Sequence, residues 1–311
     1  GDSNLVWASI IGLMLIYLTV GYFLGGRWAD RSPHPKTFFT ILAWGAFTAG
    51  LVPLAAKPVL PAVAAAFDQL EIGLLAGAFV GVLILFSVPV TLLGMISPFA
   101  IRLAMVDSRH AGEVAGRIYA ISTLGSFVGT FLPVLLLIPL VGTVNTFVIF
   151  SLLLVIVALA GLGQFVSWRA ALAYAWMPLA LLLLAALWAN RPYKTTAGQL
   201  YETESAYNYI EVIQEGDLTM LRLNEGQGVH SVYSPDRLEF YGPWEQFLVA
   251  PFFNPGFTPD QVESMAILGL AAGTTARQAT AAFGPIPIDG FELDAKIIAV
   301  GREYFGMTQP N

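Results

Sequence analysis

The sequence contains no cysteine, only three histidines and few charges. Asp, Glu, Lys and Arg make up 12% of its 311 residues, about half of their share in ordinary soluble domains. The absence of cysteine excludes disulfides, thiolate metal sites and cysteine nucleophiles, and we expect no metal site of another kind. The net charge of −6 excludes a nucleic-acid-binding protein, because such proteins carry a basic surface.

Apolar residues are abundant instead. They make up 56% of the chain, and the mean hydropathy is +0.69, which excludes both a disordered chain and an ordinary soluble globule. The charges are unevenly placed, with 8 basic and 6 acidic residues in 1–190 but 7 basic and 15 acidic residues in 191–311. This division predicts a transmembrane domain over 1–190, followed by an acidic soluble region.

Six apolar stretches in the first region are long enough to cross a bilayer, for which about 20 residues are needed. A turn-like Gly-Thr-Val-Asn run at 142–145 divides the longest uncharged stretch in two. We therefore predict a multi-pass α-helical membrane domain in contact with the lipid bilayer. The interiors of these stretches carry no Asp, Glu, Lys, Arg or His, which favours an anchor over a coupled cation transporter. The predicted helices cover about 4–26, 38–56, 73–101, 118–140, 145–166 and 170–189.

Basic residues in the loops bear on the orientation of this domain. Three alternate loops, 27–37, 102–117 and 167–169, hold seven of them, and the positive-inside rule places these loops in the cytoplasm. With six membrane-spanning helices, the acidic region then lies on the side opposite the cytoplasm. With five or seven helices, it would lie on the cytoplasmic side. The side of the soluble region therefore stays open.

The soluble region begins with a small β-rich part over 191–253. Alternating residues predict strands over 207–213, 218–223 and 229–233, and the strands are separated by turns that contain Gly and Asn. A proline followed by helical periodicity predicts a helix over 243–253.

The remaining part, 254–311, alternates strands and helices. We predict a buried strand, a loop of small residues, a helix with Thr274 as its N-cap, a second strand that ends in an acid, and a second helix. This order is the opening of a Rossmann-like α/β domain of the kind found in methyltransferases. The predicted bounds are 265–270, 271–273, 274–283, 288–293 and 295–305.

Three residues of this part predict a nucleoside site. Gly269 and Gly273 allow the backbone to approach a ligand closely, which a Cβ atom would prevent. Glu292 follows Gly269 by 23 positions, at the end of the next strand, where a carboxylate can accept hydrogen bonds from both ribose hydroxyls. The loop has no third glycine and no P-loop lysine. That favours an adenosyl nucleoside over a dinucleotide or a nucleoside triphosphate.

Several segments resemble the spermidine synthase family, and most closely its bacterial members that are fused to a membrane domain. The loop and helix read LGLAAGTTAR at 268–277, and the next strand reads GPIPIDGFELD at 284–294. Upstream, SAYNYIEV at 205–212 is similar to the family's Ser-x-Tyr-Gln-x-Ile strand. LNEGQ at 223–227 is similar to the family's Leu-Asp-Gly and Gln hairpin.

The resemblance implies an aminopropyltransferase of polyamine biosynthesis. In this reaction a polyamine nitrogen attacks the methylene group beside the sulfonium of decarboxylated S-adenosylmethionine, the co-substrate, and methylthioadenosine leaves. The resemblance implies that Glu292 binds the ribose, that Gly269 and Gly273 line the nucleoside site, and that Gln227 contacts the ligand. No permanently bound cofactor is implied. The implied location is the inner membrane of a bacterium.

The same resemblance implies that Tyr207 and Tyr241 shape the amine pocket. The sequence departs from the family's pattern in three places. Asn208 replaces its Gln, Thr274 replaces the aspartate of its glycine-rich loop, and a Tyr-Gly-Pro-Trp-Glu run at 241–245 replaces its Tyr-His-Glu. The family's catalytic aspartate falls after residue 311, so we expect the catalytic residues outside this chain and the chain to be a fragment truncated at both ends.

Two other functions remain open. A methyltransferase that uses whole S-adenosylmethionine could be built on the same scaffold, and it would need a site for the cofactor's methionine carboxylate. A non-enzymatic membrane transporter or sensor with a nucleoside-binding domain is the other alternative. In each case the expected partners are the bilayer and a small molecule, with a homo-oligomer as a further possibility.

Overall fold

The computed structural model describes residues 4–69, 74–105, 110–188, 196–224 and 228–307. The chain forms two compact units, Asp2–Arg191 and Pro192–Asn311, which we call the N-terminal unit and the C-terminal unit. All of the described residues of the N-terminal unit that lie in regular elements are helical, whereas the C-terminal unit contains strands and helices.

Eight helices account for most of the described N-terminal unit, and they follow from its long apolar runs. A π-helical turn, Pro133–Leu137, joins the fifth helix to the sixth, and Pro133 begins it. The helices are α1 Asn4–Arg31, α2 Pro35–Gln69, α3 Leu74–Gly94, α4 Ile96–Ala104, α5 Ala111–Leu132, α6 Ile138–Phe165, α7 Trp168–Leu172 and α8 Trp176–Trp188.

Five helical stretches of the described chain are long and apolar enough to cross a membrane. The fourth is 55 residues long, and it is interrupted at Gly142, whose φ of 80° and ψ of 167° are not helical. This interruption lies within the turn-like run from which the sequence predicts two separate helices. The five stretches are Trp7–Arg31, Pro35–Val63, Phe79–Ala104, Ala111–Phe165 and Trp168–Leu187.

Several predicted helix ends differ from the observed ones. The second helix was expected to end before Lys57, yet α2 runs through Lys57 to Gln69, because a single charge removes no backbone hydrogen bond. The predicted third helix is divided at Met95, between α3 and α4. The ion pair between Asp30 Oδ1 and Arg102 Nε, 3.3 Å apart, joins the end of α1 to α4.

Close backbone contact holds α1 against the junction of α3 and α4. A Cβ atom on Gly21 would lie 2.5 Å from the carbonyl oxygen of Thr91, and one on Gly25 would lie 2.6 Å from the Cα of Met95. Only glycine permits this approach, as at other helix interfaces rich in small residues. A second interface buries apolar side chains of α2, α6 and α8, namely Leu42, Ala43, Ala46, Phe47, Val155, Ala158, Met177 and Leu181.

The C-terminal unit begins with a four-stranded antiparallel sheet. Its strands are β1 Gln199–Glu204, β2 Tyr209–Glu215, β3 Leu218–Leu223 and β4 Val229–Tyr233, paired in the order β1-β2-β3-β4. The predicted bounds of β3 and β4 are confirmed. β2 begins two residues later than predicted, because Tyr207 lies in a turn, and β1 was not predicted, because its alternating residues offer no apolar face.

The rest of the unit contains two parallel strands joined by a helix. After a short helix, α9 Pro243–Phe247, come β5 Met265–Leu268, α10 Thr274–Phe283, β6 Ile288–Phe291 and α11 Ala295–Tyr304. β5 and β6 are parallel, so this part is a βαβ unit. The sheet order places no third strand beside them among the described residues. The Rossmann-like assignment, which needs a larger parallel sheet, therefore stays a prediction.

One core joins the antiparallel sheet to the βαβ unit. Ile210, Val212 and Leu221 of the sheet pack with Ala272 of the loop after β5. They also pack with Ile297 and Val300 of α11 and with Phe305, which directly follows that helix. The loop after β5 and the start of α11 are thus fixed relative to the sheet.

Candidate functional site

The loop between β5 and α10 has an unusual backbone. Gly269, Ala271 and Gly273 have φ values of 83°, 51° and 87°, in the left-handed region that glycine adopts freely and other residues rarely adopt. Gly273 rather than Thr274 is the N-cap of α10, so that prediction was wrong. The Thr274 hydroxyl instead accepts a hydrogen bond from the Val232 N–H and donates one to the Val232 carbonyl oxygen, both at 2.9 Å.

The Glu292 carboxylate lies against this loop. One oxygen, Oε2, accepts a hydrogen bond of 2.9 Å from the Ala271 N–H. The other, Oε1, accepts one of 3.0 Å from the Asp294 N–H. A carboxylate has about four acceptor positions, so one position on each oxygen remains for a ligand. This half-buried group is therefore fixed in place and can still receive two hydroxyl donors.

The two glycines of the predicted site differ in their surroundings. A Cβ atom on Gly269 would meet no atom within 4 Å, whereas one on Gly273 would lie 3.2 Å from Met307 Sδ. The space beside Gly269 is thus open to a ligand, and Gly273 is packed. The N–H groups of Gly269 and Leu270 both donate to the Phe291 carbonyl oxygen at 2.9 Å, which ties the loop to the end of β6.

A cavity of about 270 Å³ lies beneath the same loop. It is smaller than most small-molecule sites, which have volumes of about 300–1,000 Å³, and Glu292 does not line it. We therefore do not assign the nucleoside to it. The lining residues come from the loop, α10, β6 and the turn after α11: Leu270, Ala272, Gly273, Ala276, Arg277, Thr280, Ile288, Gly290, Phe305, Gly306 and Met307.

The two tyrosines of the predicted amine pocket are exposed. Tyr207 is 57% exposed in the turn before β2, and Tyr241 is 94% exposed with a φ of 55°. The Glu245 carboxylate holds the backbone on both sides of Tyr241, since it accepts hydrogen bonds from the N–H groups of Phe240 at 2.6 Å and Gly242 at 2.9 Å. None of the described contacts joins the two tyrosines, and Gln227 lies outside the described residues.

Burial and hydrogen bonds shift the pKa values of Glu245 and Tyr209. Burial acts to raise the pKa of Glu245, but hydrogen bonds from Phe240, Gly242 and the Gln278 amide stabilise the carboxylate and lower its pKa. Burial raises the pKa of Tyr209, and its hydrogen bond to Glu202 raises it further. Tyr209 is therefore a neutral hydroxyl near pH 7.

Sequence reasoning missed a buried carboxylate beside the site. Asp294 is 2% exposed, and its Oδ2 accepts hydrogen bonds from the Ser205 hydroxyl at 2.5 Å and from the Asn208 amide at 3.2 Å. Its Oδ1 accepts one from the Lys296 N–H at 3.0 Å, as an N-cap does. The only sequence signal was an aspartate directly before a predicted helix, which is typical of a cap and does not indicate the other two bonds. In the described ranges, no cluster of three or more His, Asp or Glu residues could hold a metal ion.

Comparison with known proteins gives one informative similarity. A protein of Bifidobacterium longum (strain NCC 2705), named "Probable polyamine aminopropyl transferase", is 37% identical to this chain over 105 residues. The match covers 34% of this chain and 22% of that protein, so the chain corresponds to well under two thirds of that relative's length. No family model and no solved structure matches the chain. The name of that relative agrees with the family that the sequence resembles.

Proposed function

We propose that this chain is part of a membrane-anchored enzyme that transfers an aminopropyl group from decarboxylated S-adenosylmethionine to a polyamine. The observation that carries the proposal is the Glu292 carboxylate, which two backbone N–H groups fix against the loop that contains the open position Gly269. Its remaining acceptor positions suit the two vicinal hydroxyls of a ribose. The partial similarity to a probable aminopropyltransferase supports the same class of nucleoside.

The reaction needs a positioned electrophile and a positioned amine. The amine nitrogen forms a bond to the methylene carbon next to the sulfonium, the carbon–sulfur bond breaks, and its electron pair neutralises the sulfur. The proton of the new ammonium group passes to solvent. In this chain Glu292 would hold the nucleoside through its ribose, and Tyr207 would border the amine. Holding both reactants in one geometry is the main gain such a site offers.

Charge supports a cationic substrate. Residues 191–311 hold 15 acidic and 7 basic residues, and a negative field of this kind raises the local concentration of a polyamine cation. The N-terminal unit would act as the anchor in a bacterial inner membrane, because its long apolar helices suit a bilayer. None of the five long apolar stretches holds a carboxylate away from its ends, where a cation transporter would use one.

The test is nucleoside binding by the intact protein in lipid nanodiscs. Glu292→Gln places an amide NH₂ against the N–H of Ala271 or Asp294, so we expect methylthioadenosine to bind about tenfold more weakly or worse. The matched control is Glu263→Gln, an exposed acid in the same unit, which should bind as the wild type does. Equal affinity in the Glu292→Gln variant would reject this site.

A product assay on the wild-type protein decides between the transferases. Release of methylthioadenosine from decarboxylated S-adenosylmethionine in the presence of a polyamine is the expected result. Release of S-adenosylhomocysteine from whole S-adenosylmethionine would instead identify a methyltransferase. Nucleoside binding without turnover of either compound would favour a sensor.

A further inference from the structure

The buried Asp294 carboxylate connects two parts of the chain that are far apart in sequence. Ser205 and Asn208, which donate to its Oδ2, precede it by 89 and 86 residues. Burial of a charge is costly unless donors surround it, and three donors do so here. This arrangement exceeds what a helix cap requires, because the Lys296 N–H alone satisfies the cap.

The Ser205 hydroxyl organises the turn that carries Tyr207. Its Oγ accepts hydrogen bonds from the Tyr207 N–H at 3.1 Å and from the Asn208 N–H at 2.8 Å. The Ser205 N–H donates to the Asn208 carbonyl oxygen at 2.8 Å and closes the turn. Asp294 accepts from the hydroxyl at the centre of this turn, so the place of Tyr207 depends on Asp294.

The Asn208 side chain extends the connection into the next hairpin. Its amide NH₂ donates to Asp294, and its Oδ1 accepts a hydrogen bond of 3.1 Å from the Asn224 amide. Asn224 Oδ1 in turn accepts one of 3.2 Å from the Tyr209 N–H. Asn208 is one of the positions at which this sequence departs from the spermidine synthase pattern. Here its short amide reaches Asp294.

The segment 292–296 also fixes the Glu292 carboxylate, which is proposed to bind the nucleoside. The Asp294 N–H donates to Glu292 Oε1, and Lys296 Nζ donates to the carbonyl oxygen of Glu204, at the end of β1. Residues 292–296 thus hold Glu292 on one side and the turn after β1 on the other.

We propose that Asp294 is a positioning residue that sets the Tyr207 turn relative to Glu292, so that amine binding depends on a carboxylate that touches neither reactant. This inference rests on the proposed function for the identity of the two ligands. It predicts that loss of the Oδ2 contacts weakens amine binding and leaves nucleoside binding largely intact, because the backbone bond to Glu292 is unchanged.

The decisive variant is Asp294→Asn. Asparagine caps helices as well as aspartate does, so its Oδ1 can keep the Lys296 bond. Its NH₂ group replaces Oδ2 and cannot accept from Ser205 or Asn208. The matched control is Asp289→Asn, an exposed aspartate on β6. Ser205→Ala removes the same contact from the other side.

Three measurements on the intact protein in nanodiscs test the idea. Hydrogen exchange of peptides covering 205–208 should be faster in Asp294→Asn and unchanged in Asp289→Asn. The KM for the amine should rise about tenfold or more, whereas the Kd for methylthioadenosine should change less than about threefold. The double variant with Ser205→Ala should lose less amine affinity than the sum of the two single losses, because both variants remove the contact between Ser205 and Asp294.

Each other outcome is informative. An unchanged amine KM in a folded, active Asp294→Asn variant would overturn the proposal. A loss of nucleoside affinity as large as the loss of amine affinity, together with a lower melting temperature, would also overturn it, since this combination indicates a purely structural role. A wild-type protein without nucleoside binding or aminopropyl transfer would reject the proposed function, and the exchange data would still show whether Asp294 holds the turn.

Discussion

Removal of the Thr274 hydroxyl should strongly destabilise the C-terminal unit. Thr274 binds both the N–H and the carbonyl oxygen of Val232 at 2.9 Å. β4 is at the edge of its sheet, and an edge strand leaves backbone groups without a ladder partner. Thr274 supplies that partner at Val232, and the substitution Thr274→Val removes it without a large change in shape.

The magnitude follows from burial. Thr274 is 5% exposed and Val232 is 6% exposed, so little water can replace the lost partner. Each hydrogen bond contributes about 1 kcal/mol net, and a buried group left without a partner costs about 1–3 kcal/mol. For the pair we expect the free energy of unfolding of the C-terminal unit to fall by about 2–4 kcal/mol. This corresponds to about 30- to 1,000-fold faster exchange of amides that exchange only when the unit opens.

The assay is hydrogen exchange of β3 and β4 in the intact protein. The matched control is Thr275→Val, because Thr275 is also buried and its hydroxyl has no hydrogen-bond partner among the described residues. We expect this control to exchange as the wild type does. Thr274→Ser keeps the hydroxyl and should recover most of the protection. A change below about 0.5 kcal/mol in Thr274→Val would refute the reasoning, because such a value is typical of an ordinary surface substitution.

Two further predictions concern helix packing and pH. Gly25→Ala should lower the melting temperature of the N-terminal unit, because the added Cβ would lie 2.6 Å from the Cα of Met95. The control Gly26→Ala should leave it unchanged, because a Cβ there meets no atom within 4 Å. Both variants can be measured by scanning fluorimetry in detergent, and equal melting temperatures would contradict the observed helix packing. Because hydrogen bonds lower the pKa of Glu245, its contribution to stability is present above its unfolded-state pKa, about 4.5, and is lost as the pH falls through the lower folded-state pKa. The difference in urea unfolding midpoint between the wild type and Glu245→Gln should therefore become smaller as the pH is lowered from about 6 to about 3. A difference that does not change with pH would contradict the stabilising role of the Glu245 carboxylate.

Local composition and periodicity were enough to predict much of the architecture. The apolar runs of 1–190 predicted long helices, and the Gly-Thr-Val-Asn run predicted the interruption observed at Gly142. Alternation predicted β3 and β4, and a short apolar run followed by a helical pattern predicted the strand-helix-strand order around α10. These features depend on neighbouring residues, whose spacing can be read from a single chain.

The sequence also predicted the chemistry of Glu292 in part. A glycine-containing loop followed by an acid at the end of the next strand predicted a carboxylate near the loop. The same residues predicted an adenosyl nucleoside as the ligand. The resemblance to spermidine synthases supplied its identity as decarboxylated S-adenosylmethionine and the roles of the tyrosines, and all of these stay predictions. The Rossmann-like sheet stays one too, since the described chain contains only two of its strands.

Only the tertiary structure decided which groups meet. The sequence predicted Thr274 as a helix cap, but its hydroxyl binds the edge strand β4 and Gly273 is the N-cap instead. β1 forms because β2 offers it a partner, although its own residues show no apolar face. Asp294 meets Ser205 across 89 residues, through the core that packs α11 against the antiparallel sheet. Such contacts depend on how helices and strands that are distant in sequence pack together, and a local pattern of residues does not predict this packing.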